Sequence, residues 1–313
     1  MTNQQTLTTK LGNIASAIRS KTGSAASMTL DQMPTEIANI TGQTEDSFLN
    51  SWNTFMKSYE QTTGSQVLNY EIDCDKEYPP KFFFSIIPIP GIVNITKLNL
   101  PNVKTLGMYA IAGGANNKLI SNLEKWEFPK VEKVMTTSIA NVGTPNDPIN
   151  LVSFPKWVAD NPNLSIITNY VHIRSLYLPK YVQWATTAFT STGTMFTLNN
   201  LYIGEDTVSI GGNNYSSSTF RASTTIEKLI IDKSSACPTL NSYLTNYAHN
   251  NASNRFYNGS AFIYVPKTIL SSYENDTNWS VYYAVGAIKA IEDNQQELQG
   301  IFPEMDAKYG WTS

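Results

Sequence analysis

Charge is scarce in this chain. Only 15% of its 313 residues are Asp, Glu, Lys or Arg, against about 25% in a typical soluble domain. The 22 basic and 25 acidic residues leave a net charge of −3, with no long run of either sign. A nucleic-acid binder needs a basic stripe that neutralises phosphates, and none is present. A polybasic membrane-surface site has no support for the same reason. Cysteine is scarce too. Cys74 and Cys237 lie far apart and outside any paired motif, so two separate thiols and a fold without need of disulfides are expected. Such a fold suits assembly in a reducing cytoplasm.

Catalytic and metal-binding patterns are also missing. His172 and His249 are the only histidines. Neither has a second ligand at metal-binding spacing, so both are expected at the surface or in turns. No G-x-S-x-G, H-E-x-x-H or P-loop occurs. Asp73, Asp75 and Glu77 alternate in a way that could offer oxygens to Ca²⁺, but a solvated strand edge accounts for them. No pair of carboxylates stands out for glycan hydrolysis. The expectation is a protein that is not an enzyme, with no cofactor and no metal. Long apolar runs are absent as well. FFFSIIPIPGIV (82–93) carries two prolines and is too short to span a bilayer. The first residues, MTNQQTLTTKLG, lack the basic and apolar regions of a secretory signal.

What remains is a chain with 41% apolar residues, enough for a core, and a polar surface built from Asn, Thr, Ser and Tyr. Neutral hydrogen-bonding surfaces of that kind suit extracellular and virion proteins and carbohydrate or cell-wall ligands. Residues 1–62 read as a helical module for attachment and oligomerisation. Leu7, Leu11, Ile14 and Ile18 form an a/d seam, which fits either a coiled coil or a helix packed on its own chain. Residues 28–42 and 45–60 show further helical spacing, with Pro34 opening a turn and Gly42 closing it.

From residue 63 the periodicity changes to a repeat. Apolar-x-apolar-Pro occurs as LNLP (98–101), WEFP (126–129), VSFP (152–155), LYLP (176–179) and IYVP (263–266), with degenerate copies LYIG (201–204) and LIID (229–232). The steps are 28, 26, 24, 25, 28 and 34 residues, and all but the last fall in the roughly 20–29 expected of leucine-rich repeats. In such a unit the two apolar side chains share one face of a strand and the middle one points to the other. A single copy cannot bury its inner face, so parallel copies must stack, and the Pro ends each strand where the chain turns. The outward residues are then Asn99, Glu127, Ser153, Tyr177, Tyr202, Ile230 and Tyr264. Tyr177 and Tyr202 are expected on neighbouring strands about 5 Å apart. With Tyr264 they form a candidate binding face, because aromatic rings with a hydroxyl tip suit sugars and protein hot spots.

The LxLP-x-V-x-x-L frame resembles the BspA-like leucine-rich repeats of bacterial surface antigens. The last copy, AFIYVPKTILSSYENDTNWSVYYAVGAIKAIED (261–293), is similar to the end of such arrays. Residues 11–42, LGNIASAIRSKTGSAASMTLDQMPTEIANITG, resemble the segment that begins many tail-associated and receptor-binding proteins of phages infecting Gram-positive bacteria. The expected fold class is therefore α+β: a BspA-like leucine-rich-repeat solenoid with a parallel sheet over 63–293, preceded by the helical module and followed by a tail segment at 294–313. The resemblance implies a phage virion protein, a tail fibre or baseplate-associated receptor-binding protein. Its partners would be other virion proteins and a host cell-surface glycan or protein, and by analogy with fibre proteins it would be a homotrimer. A capsid head fibre or decoration protein and a bacterial surface adhesin are the alternatives.

Overall fold

A computed structural model describes residue 15 and residues 67–74, 77, 82–83, 91–107, 110–113, 117–135, 138–158, 167–168, 171–183, 196–211, 226–241, 244–245 and 247–311. The chain divides into two units, Met1–Thr54 and Phe55–Ser313. In the first, Ala15 is helical and buried. The seam residues Leu7, Leu11, Ile14 and Ile18, like the rest of the expected helical module, lie outside the described residues.

The second unit is a parallel β-solenoid. Three strands open it: β1 (Val67–Asp73), β2 (Gly91–Asn99) and β3 (Asn117–Ile120), hydrogen-bonded in that order. Seven more form its main sheet: β4 (Trp126–Glu127), β5 (Ile149–Ser153), β6 (Val171–Leu178), β7 (Phe196–Ile203), β8 (Lys228–Ile231), β9 (Phe262–Val265) and β10 (Ile288–Ala290). Every pairing is parallel. Short strands stack along the return path of the solenoid. Thr105–Leu106 pairs with Lys133–Val134, Ser209–Ile210 pairs with Thr239–Leu240, and Phe82–Phe83, Ile111–Ala112, Ile139–Ala140 and Ile167–Thr168 form a third layer.

The repeat frame predicts the register. Trp126 pairs with Val152, Val152 with Leu176, Leu176 with Leu201, Leu201 with Leu229 and Leu229 with Ile263. These are the first apolar positions of six successive copies, and all are buried. Two further rungs lie beyond the repeats found in the sequence. Glu71–Asp73 pairs with Lys97–Asn99 at the start, and Ile288–Ala290 pairs with Ile263–Val265 at the end. The return path stacks as well: Val103, Leu106, Val131, Val134, Ile111 and Ile139 are buried between the layers.

After β9 the chain forms α1 (Leu270–Asn275) and α2 (Ser280–Ala284). Tyr273, Trp279 and Tyr282 are buried, and the Trp279 Nε1–H donates to the Pro238 carbonyl at 2.6 Å. Residues 294–311 are folded against the sheet rather than trailing as a tail. They form α3 (Gln295–Leu298) and α4 (Pro303–Tyr309). Pro303 occupies the first turn of α4, where its missing N–H costs nothing, and Gly310 ends the helix in the left-handed conformation at φ 67°. Among the described residues no helix is long and apolar enough to cross a membrane.

Candidate functional site

The outward face of the main sheet is where sequence reasoning placed a binding surface. Alternation does aim Tyr177, Tyr202 and Tyr264 away from the inner core, and the Tyr177 and Tyr202 rings stack across neighbouring strands with centroids 4.6 Å apart. Their exposure is where the structure departs from expectation. Tyr177 is 8% exposed, Tyr202 4% and Tyr264 0%. The C-terminal segment covers them, with Ile291, Leu298, Phe302, Met305 and Trp311 packed onto this column. Phe302 sits 5.9 Å from Tyr177 and 5.7 Å from Tyr202, ring to ring. The physical reason is elementary: a column of Tyr, Tyr, Ile and Tyr is too apolar to leave open when apolar side chains follow in the chain. Only Asn99 and Glu127, among the outward residues, remain exposed.

The covering segment is pinned at polar points. Asp232 is 2% exposed and accepts hydrogen bonds from the Tyr202 hydroxyl (2.5 Å), the Tyr309 hydroxyl (2.8 Å) and the Lys308 ammonium (2.7 Å). Glu297 accepts from the Tyr264 hydroxyl at 2.5 Å, and that bond holds its carboxyl below the usual range. Burial pushes the Tyr202 and Tyr264 hydroxyls well above the ordinary phenol value. Lys125 bridges Glu127, at 3.3 Å, and Glu304 of α4.

The cover is incomplete along one margin, and there a cavity of about 550 Å³ opens. Its floor follows the repeat. Register pairs run Ile149–Ile173–Leu198 and resume at Leu151–Ser175–Asn200, skipping Asn150, Arg174 and Asn199. Asn150 and Arg174 are exposed and Asn199 is half-buried, and the three form a polar column across neighbouring strands. Glu124, Asn150 and Arg174 stand two residues before the first apolar position of their copies, and Lys125, Leu151, Ser175 and Asn200 stand one before it. These two columns line the cavity from below, and Gly300, Ile301 and Pro303 of the C-terminal segment close it from the side. Arg174 Nη1 donates to Asn150 Oδ1 at 3.3 Å, and buried Asn200 Nδ2 donates to buried Ser175 Oγ at 3.0 Å. Sequence reasoning missed this site because it followed the apolar frame. The signal was the run of Glu, Asn and Arg at one repeat position.

The remaining candidates take structural places. His172, expected at the surface, is 2% exposed, with Nδ1 2.8 Å from Thr197 Oγ1 on the next strand. The backbone at Val142 and Gly143 packs against it, and its backbone N–H donates to the Val142 carbonyl at 2.8 Å. His249 is half-buried beside Tyr282. Asp73 binds Lys97 and Asn99, and Glu77 pairs with Lys104. Among the described residues no group of His, Cys, Asp and Glu is arranged for a metal. Cys74 and Cys237 are not joined to each other. The chain matches no family model, no curated protein and no solved structure.

Proposed function

We propose that this chain is a structural or adhesion protein of a phage virion, a tail fibre or baseplate-associated receptor-binding protein, with a body of BspA-like leucine-rich repeats. The observation that carries the reading is the joining in one chain of residues 11–42, which resemble the opening segment of phage tail proteins, to a long repeat body. The stacked rungs support it. A solenoid built from parallel, in-register strands holds surface residues at fixed spacing, as a binding scaffold must. The body presents a surface without doing chemistry. The N-terminal module joins it to other virion proteins and, through Leu7, Leu11, Ile14 and Ile18, to its own copies as a trimer.

Electron microscopy of purified virions labelled with antibodies to residues 67–311 tests this. Label on the tail supports the reading. Label on the head replaces it with a head-fibre role. Absence of label from intact particles overturns both. Light scattering of the full chain gives the trimer mass if the seam associates, and a monomer mass contradicts that part.

A further inference from the structure

We infer that the cavity between the polar columns and the C-terminal segment is a saccharide-binding site, accepting a hexose-sized unit of a glycan. This deepens the adhesion reading and rests on it for the ligand's biological source.

Three observations converge. The size is right: about 550 Å³ lies within the roughly 300–1,000 Å³ of small-ligand sites. The lining is of two kinds. Leu151, Ile301 and Pro303 supply an apolar wall against which the C–H face of a sugar ring can lie, while amide, hydroxyl, guanidinium and carboxylate groups face it from the two columns. The polar groups also retain hydrogen-bonding capacity. Arg174 uses one side-chain donor, toward Asn150, and has no carboxylate partner among the described residues. Glu124 has no ion pair among them either, whereas Lys125 is neutralised by Glu127 and Glu304. Ser175 and Asn200 are more than nine-tenths buried yet line the cavity. Each sugar hydroxyl both donates and accepts, so it can use a free carboxylate and a free guanidinium in one site. A simple anion would meet Arg174 but gain nothing from Glu124 or the apolar wall.

The test is saturation-transfer NMR on the full chain. The probes are glucose, galactose, N-acetylglucosamine, rhamnose and glucuronic acid at millimolar concentration, with inorganic phosphate as competitor. The expected result is transfer to at least one sugar, weakened tenfold or more by Arg174→Ala and by Asn150→Ala. Lys180→Ala, which removes an exposed positive charge elsewhere, leaves it unchanged. Arg174 and Asn150 are exposed, and circular dichroism confirms that each variant is folded. Transfer to none of the five sugars overturns the inference. So does transfer insensitive to both variants, or full displacement by phosphate, which marks an anion site. Virion labelling without sugar binding sinks this site alone, and sugar binding without labelling sinks the virion reading alone.

Discussion

The Tyr202 hydroxyl donates to Asp232 Oδ2 across one rung of the solenoid, at 2.5 Å. The other oxygen of that carboxylate holds Lys308 and Tyr309 of α4. One buried acid thus ties the sheet to the segment that covers it.

Asp232→Ala leaves the Tyr202 and Tyr309 hydroxyls without their acceptor, and loses the Lys308 contact. Lys308 is half-exposed and keeps its water, so its own share is small. Removing one side of a buried charged network costs about 3–5 kcal/mol, and chemical denaturation should show a loss near that range. Asp232→Asn, which retains an acceptor, should lose less.

Gly204 stands where other copies carry Pro. A methyl group there would lie 2.3 Å from the Pro179 carbonyl oxygen, a backbone atom. Gly204→Ala must push two rungs apart and should cost about 1–3 kcal/mol, the usual range for overpacking. Gly107→Ala is the control, because its added methyl meets nothing within 4 Å. Its unfolding midpoint should stay at the wild-type value.

These two positions show how far the sequence could be read. Gly204 and Asp232 looked like decay of the repeat, yet each has a physical cause: a close backbone approach at one, a buried anchor at the other. The register was legible because alternating apolar residues ending at Pro admit few other arrangements. The last rung was not, because Ile288-Lys289-Ala290-Ile291 puts a small alanine at the second apolar position and an isoleucine where the frame expects Pro. The cover was hidden for another reason. Alternation says which way Tyr177 points but not what lies above it, and residues 294–311 carry no repeat. Ile230, an aliphatic side chain in the middle of the outward column, was the one local hint that the face would be covered.

Phe302→Ala should weaken the cover itself. The ring is fully buried against Tyr177 and Tyr202, and emptying such a site costs about 3–5 kcal/mol. Hydrogen exchange should rise over residues 291–311 before it rises in β6 and β7. Equal rises in both would mean that cover and sheet unfold as one unit.

High pH should unfold the protein. Tyr202, Tyr273 and Tyr282 are held above the ordinary phenol value of 10.0, chiefly by burial. A group with a raised folded pKa keeps its proton in the folded state after the unfolded chain has lost it. Stability is therefore complete below pH 10 and falls as pH rises through and beyond it. Each such tyrosine contributes a slope of at most about 1.4 kcal/mol per pH unit. Denaturation midpoints between pH 8 and pH 11 should stay level and then drop. A level curve to pH 11 would contradict the burial of these rings.

Residue-resolved tyrosine nitration tests most directly whether the C-terminal segment closes over the outward face of the solenoid. In the full chain Tyr177, Tyr202 and Tyr264 should resist modification while half-buried Tyr257 and Tyr283 react; ending the chain at residue 293 should make the three reactive. If all three react in the intact protein as readily as Tyr257, the face is open and the account is wrong.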